Sequence, residues 1–128
     1  MKTEITTLAQ ALEKLKMPLD TKPVITGVDE KYSKTLEKVF QALVISEALR
    51  EGWEPDYENI NQNKYEAWFD LNTDKANPSG FRFGDSYFTR ANTHSVFGPL
   101  LCQETREASD HFGKLMVPIF RDVLKPQK

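Results

Sequence analysis

The feature that most constrains the fold is a change in the period of the apolar residues between Arg50 and Lys64. From Tyr32 to Leu49, apolar residues recur at three- and four-residue steps, which is the period of a helix with one wide apolar face. From Lys64 to Leu71 they alternate with polar residues, which is the period of a strand. This change predicts a domain in which helices cover one side of a sheet.

Residues that favour helix ends support this interpretation. Asp29 is suited to cap the central helix, and Gly52 is typical of the residue that follows a helix. Before it, apolar residues at helical steps predict a short helix over Thr3–Lys16, which Pro18 ends. We interpret residues 17–28, with their prolines and a glycine, as a segment that crosses back to the core.

The strand pattern predicts a hairpin. After the polar loop N-T-D-K-A-N-P-S-G, Phe81 and Phe83 alternate with Arg82 in a second strand. We expect Phe81 and Phe83 to face the helices, together with Tyr65, Ala67 and Phe69 of the first strand.

The last part of the chain predicts one more strand and one more helix. Leu100–Gln103 has the composition of a short third strand, and Thr105 is suited to cap the final helix. Pro118 lies inside that helix and predicts a kink or an early end. The predicted architecture is α+β: two N-terminal helices, a small antiparallel meander of about three strands, and a C-terminal helix packed on one face of the sheet.

The length of 128 residues fits one domain over 1–128, with an N-terminal helix and crossing segment at 1–28 and the core at 29–128. The single cysteine, Cys102, excludes an intramolecular disulfide and fits a reducing compartment. The sequence shows neither the apolar run of a signal peptide nor a stretch long enough to span a bilayer. We therefore expect a soluble cytoplasmic protein that does not act at a membrane.

The spacing Asp70-x-Asn72-x-Asp74 matches the start of a calcium-binding EF-hand loop. However, Lys75 stands where that loop needs a glycine, and Phe81 stands where it needs a glutamate. A polar hairpin loop is the preferred interpretation.

The remaining candidates for chemistry are few. Cys102, His94 and His111 are not at the spacing of a zinc site. A single cysteine in an apolar strand is more often a packing residue than a nucleophile, although a following helix N-terminus lowers the pKa of some cysteines. We expect no catalytic residues, no metal and no cofactor.

Trp68 is the leading candidate for a binding residue. Strand alternation places it on the face opposite the helices, beside Glu66 and Asp70. Exposed tryptophan and arginine side chains are typical of protein-binding hot spots. In the competing interpretation, the loop that precedes the first strand folds over this face and buries Trp68. The candidate binding residues are Trp53, Asp56, Tyr57, Lys64, Trp68 and Arg82.

Several short motifs occur together in this chain: G-W-E-P-D-Y at 52–57, N-K-Y-E-A-W-F at 63–69, G-F-R-F at 80–83 and L-C at 101–102. In this combination the chain, from about 42 to 120, resembles a family of small uncharacterised proteins encoded by phages and prophages of Bacteroidota-type bacteria. It departs from the family pattern at Tyr57, Ala67 and Leu100, where that pattern has tryptophan, proline and arginine. The resemblance implies no known activity; it implies an accessory protein that acts inside a bacterial host.

Three functional hypotheses follow. The first is a non-enzymatic phage or prophage protein that binds a host or phage protein. The second is an accessory factor that stacks single-stranded nucleic acid on its aromatic residues, with Lys64 and Arg82 supplying charge. The net charge of −2 weighs against this second hypothesis. The third is a small-molecule binder with a pocket between the loop and the sheet.

Overall fold

The computed structural model describes residues 4–89 and 101–124. Its elements follow the order α1 (Leu8–Lys14), α2 (Glu30–Arg50), β1 (Lys64–Asp70), β2 (Arg82–Thr89) and α3 (Arg106–Leu124). The α+β class is confirmed, with three helices and one two-stranded antiparallel sheet in these ranges. None of the described helices is both long enough and apolar enough to cross a membrane.

The predicted third strand is reduced to one residue in the described part of the chain. Tyr65 and Gln103 exchange two backbone hydrogen bonds, with N···O distances of 3.0 and 2.8 Å. Leu101 lies in a 3₁₀ turn, and the hydroxyl oxygen of Thr105 already caps α3. The few residues between this turn and α3 therefore leave no room for a longer run of strand hydrogen bonds. Leu100, the first residue of the predicted strand, lies outside the described residues.

The hairpin buries the face that the alternation predicts. Phe81 is buried, and its ring stacks on Phe69 with the centroids 5.1 Å apart. Phe69 also meets Phe120 of α3 edge-on, at 6.0 Å between centroids. Ala67 packs against the same core. Aromatic contacts between the sheet and α3 thus fix which face of the hairpin remains open.

The helix α3 packs across both strands and against α2. Its buried apolar residues recur at four-residue steps, as expected for one helix face: Ala108, Phe112, Met116 and Phe120. The helix continues to Leu124 although Pro118 lies inside it, so the early end is not observed. Pro118 is exposed, which places its ring away from the core.

The N-terminal helix docks on its own domain. It is shorter than predicted because Thr7 caps it: the hydroxyl of Thr7 accepts a hydrogen bond from the Gln10 N–H at 3.1 Å, and the Gln10 side chain accepts one from the Thr7 N–H. Leu12 and Ile5 are buried in the core. Nε2 of His111 lies 2.6 Å from the carbonyl oxygen of Ile5, which ties the segment before α1 to α3.

Only the C-terminal half of α2 is buried. Its buried residues run from Ala42 to Leu49, whereas Tyr32 is 53% and Leu36 is 48% exposed. The wide apolar stripe of this helix is therefore not entirely in the core. One reason is that α1, which packs on it, has 7 residues and spans only about 10 Å.

Candidate binding surface on the open face of the hairpin

Trp68 lies in the middle of β1 on the face away from α3, and 57% of it is exposed. Its exposure agrees with the prediction, and the alternative in which the preceding loop buries it is wrong. On β2, Gly84 forms a bulge opposite Trp68, because Trp68 pairs with Asp85 and Phe69 pairs with Phe83. A Cβ atom on Gly84 would lie 3.2 Å from the carbonyl oxygen of Trp68, so the bulge leaves little room for a larger residue.

Tyr87 lies beside Trp68 on the open face. The two rings meet edge-on, with centroids 5.2 Å apart, and Tyr87 is 52% exposed. We call these two residues the aromatic pair. Tyr87 is not among the binding residues predicted from the sequence. Uninterrupted alternation from Phe83 would turn Tyr87 toward the helices, whereas the bulge at Gly84 reverses the alternation and turns Ser86 inward instead.

Ser86 and Arg106 confirm this reversal. The hydroxyl of Ser86 is buried and donates to the hydroxyl oxygen of Ser109 on α3 at 2.8 Å. The Ser86 carbonyl oxygen accepts a hydrogen bond from Arg106, whose guanidinium also lies 3.4 Å from the carboxylate of Asp85. These contacts tie β2 to the start of α3 and hold the aromatic pair on a fixed backbone.

Glu66 is the third residue of this part of the open face. It pairs with Tyr87 across the strands and is half-buried. Burial raises the pKa of its carboxyl group, because a low-dielectric surrounding disfavours the charged form. Within residues 4–89 and 101–124 its carboxylate has no hydrogen bond and no ion pair.

The loop before β1 covers Lys64. This lysine is fully buried, and its Nζ donates to the carbonyl oxygens of Gln62 and Asn59 at 3.3 and 3.5 Å. The prediction that Lys64 contributes to a contact surface is therefore wrong. Its amine instead donates to loop carbonyl oxygens, one of which, that of Asn59, also accepts the N–H of Gln62 at 3.2 Å.

Arg82 is exposed, and its charge is already paired. Its Nη2 and Nε lie 3.0 and 3.1 Å from Oδ2 of Asp70, and its Nη1 donates to the Ala76 carbonyl oxygen at 2.9 Å. The carboxylates at the spacing of a calcium loop, those of Asp70 and Asp74, form hydrogen bonds within the hairpin loop. Oδ1 of Asp70 accepts from the N–H of Asn72, and Oδ1 of Asp74 accepts two N–H groups of its own turn.

The other three predicted residues lie on the loop before β1. Trp53 is half-buried beside Arg50, whose guanidinium carbon is 5.9 Å from the Trp53 ring centroid. Asp56 accepts the N–H of Glu58, and Tyr57 is 53% exposed. The ring contacts found among the described residues do not join Trp53 or Tyr57 to Trp68. The ring contacts and ion pairs of the described residues therefore do not join the six predicted residues into one cluster.

Cys102 is fully buried. Burial raises the pKa of its thiol to about 11, and the nearby Arg50 opposes the shift without cancelling it. Nε of Arg50 donates to the Cys102 carbonyl oxygen at 2.8 Å. At neutral pH the sulfur is therefore a protonated thiol, which is a poor nucleophile. His94 lies outside the described residues, and the part of the chain that is described holds no group of three His, Cys, Asp or Glu residues suited to a metal.

A groove of about 590 Å³ lies between the C-terminal ends of α1 and α2 and the start of the loop at Trp53. It does not lie between the loop and the sheet, where the small-molecule hypothesis places a pocket. A salt bridge of 3.8 Å between Lys14 and Glu51 joins two residues of its lining.

Comparison of the chain with family models, with curated proteins and with solved structures found no match.

Proposed function

We propose that this chain is a non-enzymatic accessory protein of a phage or prophage that acts in the cytoplasm of a bacterial host by binding another protein. The observation that carries this proposal is the exposed aromatic pair, Trp68 and Tyr87, on the open face of the hairpin. Tryptophan and tyrosine are the residues most enriched among binding hot spots. The motif resemblance supports the phage or prophage context.

The size of the aromatic pair suits this role. An aromatic side chain offers about 150–250 Å² of surface, so a half-exposed ring leaves about 100 Å² to be covered by a partner. At roughly 25 cal/mol per Å², covering each ring contributes about 2–3 kcal/mol, which is the size of a hot-spot contribution. The strands hold both rings in place, so little conformational entropy is lost on binding.

The charges on the open face favour a protein partner over nucleic acid. A nucleic-acid surface needs cations that are free to neutralise phosphates. Lys64 is buried, and the guanidinium of Arg82 is held by Asp70. The same face carries the carboxylate of Glu66, which repels phosphate groups, whereas the carboxylate of Asp85 is paired with Arg106 at 3.4 Å.

The test is capture of partners from a bacterial lysate, with and without nuclease, by the tagged wild-type protein and by two variants. Trp68→Ala removes the larger ring of the aromatic pair. Tyr32→Ala is the matched control, because Tyr32 is 53% exposed but lies on α2. Far-UV circular dichroism establishes that each variant is folded.

We expect a nuclease-resistant protein partner that Tyr32→Ala retains and Trp68→Ala loses. Retention by a folded Trp68→Ala variant would overturn the proposal. Recovery that disappears with nuclease would overturn it in favour of nucleic acid.

A further inference from the structure

Glu66 and the aromatic pair form one continuous group of side chains. Glu66 and Trp68 are two residues apart on β1, so they share the open face at a spacing of about 7 Å. Tyr87 is the cross-strand partner of Glu66 and contacts the ring of Trp68. A half-buried carboxylate therefore adjoins two half-exposed rings.

Within residues 4–89 and 101–124, Glu66 differs from the carboxylates of Asp70 and Asp85 because no cation is paired with it. Asp70 is paired with Arg82 at 3.0 Å, and Asp85 is paired with Arg106 at 3.4 Å. The charged and titratable groups around Glu66 do not replace such a partner. Within the described ranges, the amine of Lys64 bonds to loop carbonyls, and the guanidinium of Arg50 bonds to the backbone and thiol of Cys102.

A half-buried carboxylate destabilises the folded state at neutral pH, because burial disfavours its charged form, as the raised pKa of Glu66 shows, and no bond from the described residues compensates. An external cation would remove this cost, since an opposite charge within a few ångströms favours the ionised form. The complementary ligand is therefore positively charged. The two adjoining rings further favour a cation with a flat apolar face.

From this geometry we infer that Glu66, Trp68 and Tyr87 form a subsite for an arginine side chain of the partner protein, an inference that rests on the proposed function. A guanidinium is planar, so it stacks on an aromatic ring while its N–H groups donate to a carboxylate. A lysine ammonium is a compact, strongly hydrated charge and does not combine the two contacts in the same way.

The test uses a defined probe, the peptide acetyl-Gly-Gly-Arg-Gly-Gly-amide, and follows backbone and indole N–H signals of the full chain by NMR. Matched peptides carry lysine or norleucine in place of arginine. The variants are Glu66→Gln, which keeps the shape and removes the charge, and Glu37→Gln, which removes an exposed carboxylate on α2 as the control.

We expect millimolar binding of the arginine peptide, with shifts concentrated at Glu66, at the Trp68 indole and at Tyr87. Glu66→Gln should weaken this binding about tenfold, as expected for loss of about 1.4 kcal/mol from a charge-assisted hydrogen bond. Glu37→Gln should leave it unchanged, and the lysine and norleucine peptides should bind more weakly. Equal binding of the norleucine peptide, an unchanged affinity of Glu66→Gln, or shifts elsewhere in the protein would overturn the inference.

The two experiments distinguish failure of the arginine subsite from failure of the proposed function. If the captured protein is lost by Trp68→Ala but bound normally by Glu66→Gln, the partner uses the aromatic pair without an arginine. The subsite is then refuted while the proposed function stands. If Trp68→Ala retains the partner, the proposed function fails whatever the peptide does.

Discussion

Substitution of Gly113 by alanine tests how closely α3 lies on the sheet. In an ordinary helix, glycine to alanine stabilises the fold by about 1 kcal/mol. Here the added Cβ would lie 2.4 and 2.6 Å from two ring carbons of Phe83 and 2.9 Å from Cβ of Ala67. The ring of Phe83 can turn aside, but Ala67 lies on the strand backbone and cannot. The helix must therefore move away from the sheet.

The overpacking cost at such a site is about 1–3 kcal/mol, which exceeds or cancels the gain in helix propensity. We expect Gly113→Ala to lower the free energy of unfolding by about 1 kcal/mol, measured as a lower midpoint in urea at an unchanged slope. Phe83→Leu in the same background should recover part of this loss, and a double-mutant cycle measures that coupling. A higher midpoint for Gly113→Ala would refute the close packing of α3 on the hairpin.

Three further outcomes follow from single side chains. Pro118→Ala restores a backbone donor on the exposed side of α3 and should raise the free energy of unfolding by about 1–3 kcal/mol, measured as a higher urea midpoint; a lower midpoint would contradict this. Because burial raises the pKa of Glu66, the stability it contributes is complete below its ordinary pKa and is lost as the pH rises through the folded value. Glu66→Gln should therefore be more stable than wild type at pH 7 by about 0.5 kcal/mol, with no difference below about pH 4. Cys102 is fully buried and its thiol has a pKa of about 11, so it should react with iodoacetamide at pH 8 at least tenfold more slowly in the folded protein than in urea. Mass spectrometry measures both rates, and equal rates would show an accessible thiolate.

The elements of this fold could be predicted because their patterns are local. Residues close together in the chain define each of them. This holds for the helical period of α3, for its Thr105 cap and for the alternation of β1. The third strand could not be judged in the same way. An apolar run as short as Leu100–Gln103 is compatible with a strand, a turn or a packed loop, and the nearby start of α3 decides between them.

The candidate binding surface is only partly predictable for the same reason. Trp68 follows from the alternation of its own strand. Tyr87 does not, because the bulge at Gly84 shifts the register by one residue and exchanges the two faces of β2. The burial of Lys64 cannot be predicted from its own strand, because it depends on the path of the preceding loop, whose Asn59 and Gln62 carbonyl oxygens accept hydrogen bonds from its amine.

The most direct test of the central claim is the affinity of the captured protein for purified variants, measured by isothermal titration calorimetry. We expect Trp68→Ala and Tyr87→Ala each to weaken binding by about 2 kcal/mol, or roughly 30-fold. Tyr32→Ala, equally exposed on α2, should bind as the wild type does. Unchanged affinity for both variants of the aromatic pair, or a loss confined to Tyr32→Ala, would contradict the open face of the hairpin as the binding surface.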